Sequence, residues 1–165
     1  MQVEKWSKEL IFELLEEVLD PEVPVLSVVD LGIVRDARLK SGLWEVVITP
    51  TYSGCPATLA IEKAIKEKLY DCGLSDFELK TELSPAWTTD WISEKGRQKL
   101  EEYGIAPPQT KSPNKAQLFA KEKSIRCPLC KSPDTEMISQ FGSTACKALY
   151  RCKSCLEPFD YFKCI

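Results

Sequence analysis

The sequence predicts an α+β protein in two parts: a small αββαβα domain, then a short β module held together by cysteine sulfur. Three observations carry this. Apolar residues recur at helical spacing in some segments, they alternate in others, and four of the eight cysteines stand in two Cys-x-x-Cys units near the C-terminus.

The first helix is expected over residues 7–19. Ser7 is a good N-cap, Glu9 suits the first turn, and Ile11, Leu14, Leu15 and Val18 form one apolar stripe. Asp20-Pro21-Glu22-Val23-Pro24 ends it, because two prolines this close cannot continue a helix. Val28-Val29 leads into Asp30-Leu31-Gly32, whose glycine permits a kink or bulge at a strand entrance. Residues 33–39 and 44–49 alternate as two strands joined at Ser41-Gly42.

A polar turn follows, Pro50-Thr51-Tyr52-Ser53-Gly54-Cys55-Pro56. Pro56 suits the first helical position, which places Cys55 at about the N-cap. There the free N–H groups and the positive end of the helix dipole favour a thiolate, the form of cysteine that attacks or binds metal. The alternative is a small buried residue packed beneath a helix start. The second helix, 57–71, carries Leu59, Ile61, Ala64, Ile65 and Leu69 and ends at Gly73.

A third strand spans 76–83, and a loop from Ser84 to Trp91 carries two tryptophans. Trp87 and Trp91 suit either core packing or anchoring of a partner. A last helix runs from about Trp91 to Tyr103 and stops at Gly104. The expected division is 1–105 for the domain, 106–123 for a proline-containing linker and 124–165 for the β module.

With 44% hydrophobic and 28% charged residues, the chain reads as soluble and globular. No apolar run is long enough to cross a bilayer, and Met-Gln-Val-Glu-Lys-Trp lacks a signal-peptide pattern, so a cytoplasmic location without membrane contact is expected. Cysteines in that compartment point to metal or redox chemistry more than to disulfides. There is no histidine. This excludes Ser-His-Asp and Cys-His nucleophiles and every His-containing zinc site. Residues 1–120 carry 14 basic and 20 acidic side chains (−6) and residues 121–165 carry 8 and 5 (+3), which together give −3. An acidic body, and a tail without an aromatic-interleaved basic stripe, argue against nucleic acid as a partner.

Cys127-Pro128-Leu129-Cys130 and Cys152-Lys153-Ser154-Cys155 are separated by 21 residues. That spacing lets two turns offer four sulfurs to one tetrahedral ion, as in a zinc ribbon. Zinc is the expected ion, and a rubredoxin-like iron site would use the same sulfurs. A module of this size is too small for a self-supporting core, so the metal would supply its folding energy. If Arg151 faces Phe159 across the following hairpin, Cys146 faces Cys164, as a redox pair, a shared thiolate site or two small packed residues.

Asp20-Pro21-Glu22-Val23-Pro24, Val29-Asp30-Leu31-Gly32 and Thr51-Tyr52-Ser53-Gly54-Cys55-Pro56 resemble three landmarks of the SufT-like iron–sulfur assembly domain, over roughly residues 5–104. Residues 84–91, Phe141 to Cys152 and Glu157 to Cys164 extend the resemblance to the whole chain and to one family, the D proteins of phenylacetyl-CoA epoxidase systems. The resemblance implies an accessory or maturation factor of that multicomponent di-iron monooxygenase in phenylacetate degradation, one that is neither its oxygenase nor its reductase subunit. It implies epoxidase subunits, and iron–sulfur assembly proteins, as partners. It also implies transient iron or iron–sulfur handling at Cys55, with Asp20, Glu22 and Asp30 as matching acidic landmarks. For Asp20 and Glu22, turn formation is an equal reading. A thiol-redox or electron-transfer subunit and a purely structural scaffold are the competing functions. The absence of a Gly-x-Gly-x-x-Gly cofactor motif weighs against the first.

Overall fold

The structure, a computed structural model, describes residues 5–52, 54–109 and 124–163. Ser53, Cys164 and most of the expected linker lie outside the described residues. The chain divides into two compact units, Met1–Ser93 and Glu94–Ile165.

In the first unit, helix α1 spans Lys8–Leu15. The Ser7 hydroxyl accepts the Leu10 N–H at 3.1 Å, and Ile11 and Leu15 are fully buried. The helix stops short of residue 19 because the chain beyond it turns to pair with the segment after the prolines. Leu19 bridges Ser27, the Asp20 N–H donates to the Leu26 carbonyl at 2.8 Å, and Val28 N–H donates to Val18 at 2.9 Å. Asp20 also precedes Pro21, which disfavours the helical region there.

Strands β1 (Val34–Lys40) and β2 (Leu43–Ile48) form the antiparallel hairpin, with a bulge between Val34 and Asp36. Helix α2 (Thr58–Asp71) crosses over to β3 (Phe77–Thr81), which pairs parallel to β2 and completes the sheet order β1-β2-β3. On α2, Ile61, Ile65 and Leu69 are buried at i, i+4, i+8. Leu59 is 77% exposed, so the buried stripe is narrower than the sequence suggested.

One sheet face carries a chain of ion pairs centred on Arg38. Its guanidinium meets Glu45 at 2.5 Å and Glu82 at 3.4 Å. Lys40 reaches Glu45 at 3.0 Å, Lys80 reaches Glu82 at 3.0 Å, and Lys8 reaches Asp36 at 2.6 Å. Hydrogen bonds from Lys8 to Asp36, from Lys40 and Arg38 to Glu45, and from Lys80 to Glu82 hold these three carboxyls below their ordinary values of 3.8 (Asp) and 4.5 (Glu). Groups depressed in the folded state stabilise it above their unfolded values and stop doing so as pH falls through the folded ones. The thermal midpoint of the first unit is therefore expected to hold above pH 5 and to fall as the solution is acidified below about 4. Glu45→Gln should flatten that fall in a calorimetric pH series.

A loop clamps the Asp30-Leu31-Gly32 turn. Trp87 is buried and its indole N–H donates to the Leu31 carbonyl at 2.8 Å. The Ser93 N–H donates to the Asp30 carbonyl at 2.8 Å, and the Arg35 guanidinium lies 3.6 Å from the centre of the Trp91 ring. Both tryptophans thus serve the fold of this unit, the first as a hydrogen-bonded core residue and the second as a stacking partner.

The second unit contains helix α3 (Glu94–Glu102) and strands β4 (Ile105–Ala106), β5 (Thr135–Ser139), β6 (Lys147–Cys152) and β7 (Pro158–Phe162). Its sheet runs β4-β7-β6-β5. The sequence division placed α3 and Ile105 with the first domain, whereas here they group with the cysteine module. The reason is pairing: Ile105 and Ala106 lie parallel against Asp160 and Tyr161 of β7. Ala106 joins Ile125, Cys127, Cys152 and Phe159 in one buried cluster, and Arg97 donates to the Pro108 carbonyl at 2.6 Å.

The β6–β7 register also differs from expectation. Arg151 faces Pro158 and Tyr150 faces Phe159, one residue off the assumed pairing. Leu156 adopts a left-handed φ of 68° in the intervening turn, which closes one residue earlier. Lys163, not Cys164, therefore stands opposite Cys146, and its N–H donates to the Cys146 carbonyl at 3.0 Å. A one-residue slip also reverses faces. The expected Cys146–Cys164 cross-strand pair is corrected on these grounds, although Cys164 itself lies outside the described residues.

Candidate functional site

Two sulfur sites emerge, one in each unit. In the second unit, Cys127, Cys130, Cys152 and Cys155 bring their sulfurs within 4.8 Å of one another, the only such group of potential metal ligands among the described residues. Both Cys-x-x-Cys turns are built alike. The first cysteine N–H of each donates five residues ahead, Cys127 to Ser132 at 2.9 Å and Cys152 to Glu157 at 3.0 Å. The residue after each second cysteine, Lys131 or Leu156, is left-handed. Cys127 and Cys152 are fully buried, while Cys130 is exposed.

Across the two turns, Cys127 and Cys155 sulfurs stand 3.8 Å apart and Cys130 and Cys152 3.5 Å apart. A disulfide needs about 2 Å. Four sulfurs each about 2.3 Å from a tetrahedral zinc would be about 3.8 Å apart, so the spacing fits one ion shared by four cysteines and not a pair of disulfides. The electrostatics agree. N–H groups of Cys155 and Ser154, with Cys130 beside them, lower the Cys152 thiol to about 6 against the cost of burial. The Glu157 N–H alone would lower Cys155 too, but burial and the sulfurs of Cys152, Cys130 and Cys127 raise it to about 12. Crowded thiolates without a counter-charge repel one another, and a divalent cation removes that conflict.

In the first unit, the Gly54 turn (φ 85°) delivers Cys55 to the approach of α2. Cys55 N–H donates to the Tyr52 carbonyl at 3.3 Å, and its own carbonyl accepts from Thr58 at 3.1 Å. Ala57 occupies the N-cap, with no side chain capping the helix. Cys55 thus sits two residues upstream of its expected place, because Pro56 and Ala57 form a preliminary turn before α2 proper. The residue is 9% exposed and borders a shallow apolar recess lined by Ile33, Ile48, Pro50, Thr51, Thr58 and Ile61.

Asp20, Glu22 and Asp30 do not line that recess. Asp20 accepts the N–H groups of Glu22 and Val23, both at 2.8 Å, and so shapes the turn. Asp30 accepts the Ser27 N–H at 3.2 Å and the Ser93 hydroxyl at 3.3 Å, while the Ser27 hydroxyl accepts the Asp30 N–H at 2.9 Å. Glu22 is half-buried. Cys146 is buried, with the Thr144 hydroxyl 3.1 Å from its sulfur. Cys72, for which the sequence offers no role, closes the C-terminus of α2.

No helix among the described residues is long and apolar enough to cross a membrane. Comparison with known proteins gives a consistent picture. Residues 8–73 match the iron-sulfur cluster assembly protein family, and residues 111–163 match the PaaD zinc beta ribbon domain. An Escherichia coli (strain K12) protein provisionally named as the D component of 1,2-phenylacetyl-CoA epoxidase is 51% identical over 155 residues, 94% of this chain and 92% of that one. The Bacillus subtilis (strain 168) Fe-S protein maturation auxiliary factor YitW is 37% identical over 93 residues, 55% of this chain and 90% of its own. Among solved structures, a DUF59 domain of unknown function from Bacillus anthracis is similar, with a TM-score of 0.52 at 25% identity over 56% of this chain and 90% of that chain. It shares the fold of the first part. With an iron–sulfur assembly domain in front, a PaaD zinc ribbon behind and a relative of half identity along nearly its whole length, the chain belongs to the PaaD family.

Proposed function

We propose that the chain is an accessory factor of a phenylacetyl-CoA epoxidase that assists assembly or maintenance of an iron or iron–sulfur centre in the complex. Cys55 is the sulfur that handles the cargo. The ribbon, with zinc held by Cys127, Cys130, Cys152 and Cys155, is its rigid docking module, and zinc supplies structural cross-linking there and nothing reactive. The names of the relatives support this reading, as does the iron–sulfur assembly family match over α1 to α2.

The observation that carries it is the isolation of Cys55. It borders an apolar recess, and no three metal-capable side chains gather around it among the described residues. One thiolate cannot complete the coordination of an iron or a cluster, so any ion at Cys55 must take its other ligands from elsewhere. That is a property suited to transfer and unsuited to residence. Asp20 and Asp30 act in the same reading as turn builders that set the backbone on which the recess rests.

Cys55→Ser is the test. The substitution is close to isosteric and should leave the melting curve of the protein unchanged. Epoxidase activity and the iron content of the purified complex should both fall by about an order of magnitude in a strain carrying it. Normal iron loading and normal activity would sink the handling role and leave a scaffold.

A further inference from the structure

The four sulfurs of the ribbon are not equally placed. Cys127 and Cys152 are fully buried, Cys155 is half-buried and Cys130 is exposed. Cysteines that hold a metal are deprotonated, so all four are thiolates in the loaded ribbon. Access from solvent is then what distinguishes them towards an oxidant. Cys152 is screened further, because the Cys155 N–H donates to its sulfur at 3.5 Å. At Cys130 the neighbouring side chain gives no cover, since Leu129 is itself 57% exposed.

The spacing between the turns names a partner for Cys130. Its sulfur lies 3.5 Å from that of Cys152, whereas the other pair across the turns, Cys127 and Cys155, stands at 3.8 Å. A disulfide is about 2 Å long, so the closer pair needs to approach by only about 1.5 Å. It is also the pair that contains the exposed sulfur.

We propose that Cys130 is a modification site for peroxides, and that its oxidation closes a Cys130–Cys152 disulfide which opens the ribbon. The Cys130 sulfur attacks one peroxide oxygen, the O–O bond breaks and hydroxide departs, leaving a sulfenic acid. The Cys152 sulfur then attacks the Cys130 sulfur. The S–S bond forms and the S–O bond breaks, with loss of a second hydroxide. Two electrons pass from the sulfurs to the peroxide, and two protons from solvent turn both hydroxides into water. Each turn loses one ligand, so neither keeps a chelating pair, and the ion is released with the folding energy it supplied. A dithiol reverses the change. The switch rests on zinc held by the four cysteines and not on Cys55, which is no member of this set.

The test uses the zinc-loaded full chain and hydrogen peroxide. Peroxide should release zinc to a chromogenic chelator in step with formation of one ribbon disulfide per chain. Dimedone, which traps sulfenic acids, should label Cys130 about tenfold more than Cys127 or Cys152. Trypsin cuts after Arg126, Lys131, Arg151 and Lys153, which places Cys152 and Cys155 on different peptides. Without the trap, residues 127–131 should be recovered joined to 152–153, with fragmentation placing the bond at Cys130. A dithiol with added zinc should restore the starting metal content. Disulfides within a turn, or dimedone mainly on another ribbon cysteine, would overturn the proposal. So would zinc retained after the exposed Met137 has become a sulfoxide. A chain that holds no zinc before treatment would refute the metal site and the switch together. Cys55→Ser should respond to peroxide as the original does, so a loss of cargo handling in that variant and a failure of the switch are read separately.

Discussion

Cys152→Ser empties the ribbon of metal and unfolds it, while residues 5–93 keep their cooperative melting. The metal-to-protein ratio, measured by elemental analysis, should fall from one zinc to none. Calorimetry of the full chain should show one transition lost and one retained. The size of the effect follows from how little else holds the module. Structural zinc in small Cys-rich domains contributes about 10–16 kcal/mol of apparent binding energy. Whole domains are stable by only about 5–15 kcal/mol. The buried cluster beside the four sulfurs is Ala106, Ile125, Cys127, Cys152 and Phe159, so two of its five described members are candidate ligands. Cys152 also receives the Cys155 N–H on its sulfur at 3.5 Å, so the substitution removes a ligand and a turn-closing bond together. A chelator strong enough to strip thiolate zinc should have the same result on the unaltered chain. Full metal content and two undisturbed transitions in Cys152→Ser would refute the structural role.

Gly32→Ala is the second large effect. A Cβ at Gly32 would lie 2.5 Å from the Trp91 carbonyl oxygen and 2.8 Å from the Trp91 Cβ, and the residue is left-handed with φ 71°. Left-handed backbone costs a non-glycine residue about 1–2 kcal/mol. Forcing atoms into a packed site adds about 1–3 kcal/mol. The first unit should therefore lose roughly 2–5 kcal/mol in denaturant titrations, with the same denaturant dependence as the original. Gly42→Ala separates the two contributions, because Gly42 is also left-handed at φ 84° but a Cβ there meets nothing within 4 Å. It should cost only the backbone share. Equal losses in the two variants would show that the Trp91 contact is not what constrains Gly32.

These two sites also show what was legible in the sequence. The Cys-x-x-Cys units specified their own geometry, because a tetrahedral ion admits few arrangements of four sulfurs and the turns that present them repeat the same backbone. The hairpin and α2 were equally readable, since alternation and the Ile61, Ile65, Leu69 spacing each demand one kind of element. Asp30-Leu31-Gly32 and Trp87 to Trp91 were visible as motifs, but their union was not: the clamp joins Leu31 to Trp87, 56 residues apart, and nothing local encodes it. The β6–β7 slip had the same origin in miniature, since a single left-handed residue, Leu156, decides the turn length. Cys55 was placed two residues too far along because Pro56 opens a turn as readily as a helix. The two-residue strand β4 is too short to alternate, and its assignment rests wholly on its partner β7.

That small strand changes what the stretch after it is. Strands β4 and β5 lie in one sheet, on either side of residues 107–134 in the chain. The proline-containing stretch therefore leaves from one strand of this sheet and returns to another, where the sequence suggested a tether between two bodies. Lengthening it would destabilise the ribbon through loop closure, by about 0.6 kcal/mol per doubling, and would not extend the reach of one half from the other. A cut made there would not free an independent tail, since β4 on β7 and the Glu101–Lys131 ion pair at 2.5 Å span the break. A gene splitter seeking two separable pieces would place the scissors after Ser93.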